Sequence, residues 1–325
     1  MKKMLEFIKR KYVWTIVMAV ILTISTTFTM LDAFVIPKSY EPVTQVKSEN
    51  TKTETQTIVN AAKNTESSVP DNQDSSGQTA AITDYSYKDG NISISIEKQD
   101  ENGAVFYVAD IQVSDVSYLK TAFANNTFGK NITQATSEIA QDNNAIFAIN
   151  GDYYGFRDTG LIIRNGVLYR DRARNSPDNQ ALTINNEGEF GIVTEGEVSG
   201  TTLIDDGILQ CFSFGPALVQ DGQLAVTSST RVSKSANPRT AVGQISPLHY
   251  IFIVADGRSN ASNGMTLSQL AQEFVERGAA VAYNLDGGGS STMWLNGTVI
   301  NNPTDGRRDS ERSVSDIIYI GKYVN

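Results

Sequence analysis

The chain has 325 residues, 27 Lys and Arg against 36 Asp and Glu for a formal net charge of -9, one cysteine and one histidine. A single cysteine excludes an intrachain disulfide and a CxxC redox or zinc pair, and a single histidine excludes motifs such as HExxH. The acidic balance gives no basic footprint for nucleic acid, and 40% hydrophobic with 9% aromatic residues excludes a collagenous, wholly disordered or multi-span membrane chain.

Residues 1–11 carry Lys2, Lys3, Lys9, Arg10 and Lys11 and read as a basic cytoplasmic tail. The 20 positions 12–31 hold no charge, the length a helix needs to cross the hydrocarbon core. Positive charge on the N-terminal flank orients such a helix with its N-terminus inside and the rest of the chain outside. A cleaved signal peptide is the alternative, disfavoured by the length of the run and by the poor cleavage context Leu31-Asp32-Ala33. We assign residues 12–36 to a signal anchor at the cell membrane. Residues 37–81 are rich in Thr, Ser, Asn and Gln, and have too few apolar side chains to offset ordering entropy. A disordered stalk that holds the folded part away from the membrane is expected there, followed by one domain over 82–325.

Within that domain Asn91–Glu97 alternates apolar and polar residues, and Val105–Val113 is rich in β-formers, with Glu101-Asn102-Gly103 between them, which reads as a hairpin. Short strands with Asn-Gly, Glu-Gly and Asp-Gly turns over 161–225 indicate an antiparallel section. Three continuous apolar runs, 145–149, 250–255 and 279–285, end in Asn150-Gly151-Asp152, Asp256-Gly257-Arg258 and Asp286-Gly287-Gly288-Gly289, as strands covered on both faces would. Ile132, Ala135, Ile139 and Ala140 suggest a helix before the first run. Thr266-Leu267-Ser268-Gln269 is a capping box, with Leu267, Leu270, Ala271, Phe274 and Val275 on one helical face before Gly278. Residues 250–285 therefore predict a parallel strand-helix-strand unit. The fold class expected is α+β, mixed β-sheets with flanking helices. Parallel neighbours would bring Asp152, Asp256, Arg258 and Asp286 to one sheet edge.

The stretch Asn284–Met293 combines a strand-end carboxylate, three glycines and the hydroxyls of Ser290, Ser291 and Thr292. It suits close approach to an anion, though a tight turn between strands explains the glycines equally well. A buried strand-end carboxylate is costly unless paired or used, which singles out Asp286. Arg239, fixed after Pro238, and Arg258 suit bidentate binding of phosphate or carboxylate, and Glu311-Arg312 follows Asp305-Gly306-Arg307-Arg308 with further charge. No Gly-x-Ser-x-Gly context surrounds Ser213 or Ser290. His249, leading into a buried strand, and Cys211, among apolar neighbours, read as structural, so a hydrolase here works with carboxylates, arginines, amides and hydroxyls.

Taken together, Asn150–Tyr154, Asn237–Gly243, Asp256–Arg258, Asn284–Met293 and Glu311–Val314 resemble, in order, the motifs of the phosphodiester glycosidase family over about residues 85 to 322. The resemblance implies hydrolysis of a sugar-1-phosphodiester on a cell-surface or extracellular glycan, releasing free sugar and a phosphomonoester. It implies carboxylate chemistry from Asp286 and Glu311, with Asp256 and Asn150 positioning sugar or water. Arg239, Arg258, Arg312 and the Gly287, Gly288, Gly289, Ser290 backbone would hold the phosphate, with Asp152 nearby. No cofactor is required, and calcium among the carboxylates is an option. Two other classes stay open: a non-catalytic polysaccharide-binding module using Tyr153, Tyr154 and Phe156, and a phosphodiesterase cutting the P–O bond on the other side.

Overall fold

The computed structural model describes residues 12–43, 80–176, 178–226, 234–306 and 310–322. The expected basic tail, most of the expected stalk, and Arg307 and Arg308 lie outside the described residues. Helix α1 (Val13–Phe34) buries none of its residues and is long and apolar enough to cross a membrane, features that a signal sequence shares.

Strands are numbered β1 to β21 in chain order. The largest sheet has nine strands, in the spatial order β15 (Gln223–Leu224), β14 (Ala217–Gln220), β18 (Val281–Asn284), β16 (Arg239–Ser246), β17 (His249–Ala255), β5 (Ala104–Val113), β4 (Ile92–Glu101), β3 (Ser86–Lys88) and β2 (Ala81–Thr83). A second sheet orders β20 (Thr298–Val299), β19 (Met293–Leu295), β8 (Ala145–Asn150), β21 (Asp316–Gly321) and β6 (Leu119–Phe123). A third orders β10 (Val167–Arg170), β9 (Ile162–Arg164), β13 (Ile208–Phe212), β11 (Gln180–Asn185) and β12 (Phe190–Thr194). The pair β1 (Lys38–Ser39) and β7 (Gly129–Lys130) stands apart.

The β4–β5 hairpin forms as expected, and Asn102 and Gly103 at its tip both take positive φ (54° and 75°), which the twist of a two-residue turn requires. Helix α2 (Thr136–Asp142) precedes β8, and α3 (Gly200–Asp205) lies between the third sheet's strands. Thr266 caps α4 (Leu267–Glu276), accepting from the Gln269 amide at 3.2 Å while the Gln269 side chain accepts from the Thr266 amide at 2.9 Å.

The parallel unit is not formed. Among the described residues every pairing is antiparallel, so the chain is mostly β with few helices. The strands β17 and β18 run in the same direction, but β16 lies between them, antiparallel to both, and α4 crosses over it. The apolar runs that suggested parallel neighbours arise instead from layering. One face of the nine-stranded sheet packs on α4 through Ile251, Ile253, Leu270 and Phe274. The other packs on the second sheet through Phe252, Val254, Phe147 and Ile149, and α2 covers that sheet's far side through Ile139, Ala140 and Ala148. Both sheets are therefore covered on both faces, which selects continuous hydrophobic strands whatever their direction.

Candidate active site

The two sheets bring the ends of β8 and β18 together although they belong to different layers. Buried Asn150, closing β8, donates from Nδ2 to the main-chain oxygen of Asp286 at 2.7 Å. Its Oδ1 accepts from Thr240 Oγ1 on β16 at 2.7 Å and from the Thr292 amide at 3.3 Å. A buried amide with all of these partners met fixes its neighbours closely, because any orphaned group would cost about 1–3 kcal/mol. Asn150 is thus the clamp that sets the backbone of Asp286.

Asp286 opens onto a cleft with two lobes of about 200 and about 430 Å3, and Tyr153, Asp286 and Arg312 line both. Its Oδ2 accepts from Ser290 Oγ at 2.6 Å and from Arg312 Nη2 at 3.1 Å. Burial raises the Asp286 carboxyl above the ordinary carboxylate range, with Ser290 and Arg312 opposing that shift. Arg312 is held in turn by Ser290 Oγ and by the Gly287 carbonyl at 3.2 Å. The glycines let the turn lie against neighbouring backbone and side chains. A Cβ at Gly287 would sit 2.8 Å from the Pro238 carbonyl oxygen, and one at Gly289 would sit 2.6 Å from Asp305 Oδ1. The Gly288 amide donates to the Pro238 carbonyl at 2.9 Å and the Ser290 amide to the Gly287 carbonyl at 3.4 Å, so those N–H groups serve the turn and leave the anion to side chains.

The larger lobe holds Arg239 and Arg258. Arg239 Nε donates to the Met265 carbonyl at 3.1 Å, and Arg258 Nη2 to Asn237 Oδ1 at 3.3 Å. Neither forms an ion pair with a described residue. Burial lowers the pKa of Arg239, and the charge of Arg258 lowers it further. Two guanidinium groups that repel each other and pair with no described carboxylate have the charge and donor geometry that suit an anion. The smaller lobe is bordered by Tyr153 and Phe156, whose rings stack at 4.7 Å, and Arg157 lies 5.4 Å from the Tyr153 ring and 4.9 Å from that of Phe214.

Three predicted site residues have structural partners instead of open positions. Asp256 is buried, and its Oδ1 accepts from Asn301 Nδ2 at 3.0 Å and from the Asn302 amide at 2.9 Å; burial raises its carboxyl while those bonds oppose. Glu311 accepts from the Ser137 amide at 3.0 Å and from the Ser137 hydroxyl, at the first turn of α2. Neither carboxylate lines the cleft. Asp152 borders the smaller lobe, yet its Oδ2 is 3.1 Å from Arg164 Nη2, and Arg164 also meets Asp316 Oδ2 at 2.8 Å. Burial raises the Asp316 carboxyl to about 7, with Arg164 opposing and Asp152 adding. This buried triad and Arg157 were missed. Arg157 was within reach of the sequence, three residues after the Asn150–Tyr154 motif; the triad joins strands from two sheets and had no local signal.

His249 lies 3.1 Å from Asp110, away from the cleft, and Cys211 is fully buried, which pushes its thiol pKa up. Among the described residues no group of three or more His, Cys, Asp and Glu side chains is placed to hold a metal ion, so the calcium option finds no cage there.

Among the described residues, the ends of antiparallel strands from two packed sheets present the Asp286 carboxylate to a cleft that Arg239, Arg258 and Arg312 also line. The sequence profile described as Phosphodiester glycosidase matches residues 143–321, more than half of the chain, and the chain belongs to that family. It is 33% identical over 200 residues to the SPbeta prophage-derived uncharacterized protein YomE of Bacillus subtilis, covering 59% of this chain and 30% of that protein. It is 27% identical over 202 residues to the N-acetylglucosamine-1-phosphodiester alpha-N-acetylglucosaminidase of Bos taurus, covering 56% of this chain and 38% of that one. The chain thus spans about a third of the length of these curated relatives. Among solved structures, the zebrafish N-acetylglucosamine-1-phosphodiester alpha-N-acetylglucosaminidase catalytic domain, auto-inhibited by its pro-peptide, superposes with a TM-score of 0.56 at 23% identity, covering 71% of this chain and 83% of that one. A hypothetical protein from Synechocystis gives 0.55 at 15% identity, covering 70% and 62%. These two likenesses define the fold.

Proposed function

We propose that the protein is a membrane-anchored glycosidase that hydrolyses the sugar–oxygen bond of a sugar-1-phosphodiester on a cell-surface glycan, giving free sugar and a phosphomonoester. The observation that carries this reading is Asp286, the cleft carboxylate that opens onto both lobes, beside Arg312 and in the same cleft as Arg239 and Arg258, which make no ion pair with a described residue. The named activity of the Bos taurus relative supports an N-acetylglucosamine-type sugar.

The sugar lies in the smaller lobe against Tyr153, and the phosphate in the larger lobe on Arg239, Arg258 and Arg312. As the glycosidic bond breaks, positive charge develops at the anomeric carbon and negative charge on the departing phosphate. Asp286 meets the first, by attack or by activating water, and the guanidinium groups meet the second. A phosphate leaves as a weak base, so fixed positive charge replaces much of the proton donation that a sugar alkoxide would need. That accounts for a cleft in which, among the described residues, Asp286 is the carboxylate not tied into the Arg164 triad, where glycosidases ordinarily use two. Asn150 positions Asp286, Asp256 orders the Asn301–Asn302 segment, and Glu311 fixes the chain that carries Arg312. In this reading Asp256 and Glu311 are positioning residues.

Hydrolysis of an N-acetylglucosamine-1-phosphodiester in 18O-labelled water tests it. Label in the released sugar is expected. Label in phosphate would make the protein a phosphodiesterase, and no turnover across wall and capsular phosphodiesters would favour a binding module.

A further inference from the structure

The segment directly after α1 is built into the domain. Asn131 Nδ2 donates to the carbonyls of Ala33, in the last turn of α1, and of Ile36, each at 3.2 Å. The Ala33 carbonyl is among the acceptors that a helix end leaves unsatisfied, and a side chain of the folded domain takes it up together with that of Ile36. Only residues 35–37 separate α1 from β1, which pairs with β7 in the register Lys38 to Lys130 and Ser39 to Gly129. The contact is continued by the Tyr40 amide on the Phe128 carbonyl at 3.0 Å and the Val43 amide on the Leu168 carbonyl at 2.9 Å. The Tyr40 and Phe128 rings lie 6.2 Å apart. A Cβ on Gly129 would fall 2.0 Å from the Lys38 carbonyl oxygen, so the domain residue opposite β1 has to be glycine.

On its other side the β7 segment braces the loop that forms the cleft wall. The Asn131 amide donates to the Gly155 carbonyl at 3.1 Å, and Lys130 Nζ lies 3.1 Å from Asp158. The path from the end of α1 to Tyr153 and Phe156 is therefore one side-chain contact and one short strand. With strands about 4.8 Å apart, it is far shorter than the reach of an extended 45-residue stalk, about 150 Å. Val35, Ile36, Tyr40 and Val43 on the connecting segment, and Phe156 on the braced loop, are all exposed apolar groups, the kind that settle at a membrane interface.

We infer that residues 36–43 clamp the domain onto the outer end of the anchor, so that the cleft works at the membrane surface on sugar phosphodiesters whose aglycone is embedded in the same bilayer. The clamp rests on α1 being retained as an anchor, and the substrate class rests also on the glycosidase reading. Residues 44–79 then connect two points of one docked body and do not set its distance from the lipid.

Two readouts on the full chain in phosphatidylglycerol vesicles separate those dependencies. The first is a disulfide between Lys38→Cys and Lys130→Cys, opposed in the β1–β7 register, combined with a protease site inserted within residues 44–79. The clamp predicts that most chains form the disulfide, and that after proteolysis the domain stays with the vesicles until reductant is added. Absence of the disulfide, or a mature chain lacking α1, overturns the clamp whatever the activity. The second is release of N-acetylglucosamine from its α-1-phosphodiester with a C16 alcohol, placed in the same vesicles or in separate ones. At least tenfold faster release in the same vesicles is expected, with the advantage lost in a Tyr40→Pro, Val43→Pro double variant that still cleaves a soluble phosphodiester. Equal rates in both arrangements overturn the substrate class. A formed disulfide with no turnover on any phosphodiester leaves the clamp standing and removes the substrate class together with the glycosidase reading.

Discussion

Asp286→Asn separates chemistry from folding. In the native protein the Asp286 carboxylate lies 3.1 Å from Arg312, and the two side chains are 14% and 38% exposed. With an effective dielectric near 20 the direct attraction is roughly 5 kcal/mol. Most of it offsets the desolvation of the carboxylate, and more than a third of the arginine is in water, so the net contribution falls to about 1 kcal/mol or less. Asparagine keeps an oxygen for the Ser290 hydroxyl, and the Asn150 bond is to the main chain. A melting temperature within about 4 °C of the wild type is therefore expected for a domain of this size. In the proposed mechanism turnover loses the group that meets the anomeric carbon, and the expected fall is about 10³-fold or more, equivalent to about 4 kcal/mol on the barrier. The assay is sugar release by the full chain in detergent, with thermal unfolding of the same preparation. Turnover within tenfold of the wild type would remove Asp286 from the chemistry, and a melting temperature lowered by more than 10 °C would refute the stability argument.

The other positions give distinct signatures. Glu311→Gln weakens the contact with Ser137 at the start of α2, with an expected loss of about 1 kcal/mol in denaturant unfolding and a kcat within a few-fold of wild type; a loss as large as that of Asp286→Asn would return Glu311 to the catalytic set. Arg258→Ala should raise KM for a phosphodiester by at least tenfold, since its guanidinium has no carboxylate partner among the described residues, and an unchanged KM would move the phosphate elsewhere. Gly151→Ala places a Cβ 2.3 Å from Asp316 Oδ1 and should cost about 1–3 kcal/mol in urea unfolding. The Asp316 carboxyl, raised to about 7 chiefly by burial, binds a proton in the native state that the unfolded chain releases near pH 4. Its contribution is therefore greatest below about pH 4 and is lost as pH rises from there through about 7, so that part of the urea stability should fall between about pH 4 and pH 7 and the fall should shrink in Asp316→Asn.

Legibility followed the range of the interactions. The Asn102-Gly103 hairpin and the Thr266–Gln269 capping box were readable because each is closed by atoms a few residues apart. The strand ends that carry Asn150 and Asp286 were readable too, since an apolar run cut off by a polar residue and glycine is itself a local pattern. Strand direction was not, because a strand covered on both faces shows the same composition whichever way its neighbour runs, and β16 enters between β17 and β18. The site divides in the same way. Arg239, Arg258, Arg312 and Asp286 were nominated by residue type and line the cleft. Asp256 and Glu311 were nominated by the same reasoning, and only the fold gives them Asn301 and Ser137 as partners.

By itself, the sequence determined that one histidine and one cysteine exclude multi-His metal motifs and cysteine pairs, and which segments are apolar enough to be core or to span a membrane. The tertiary structure decided which carboxylate stays open, and that Lys38–Val43 lies on the domain and not in a free stalk. Both depend on partners about 45 to 175 residues away, and no local pattern of charge or hydrophobicity encodes a contact at that separation.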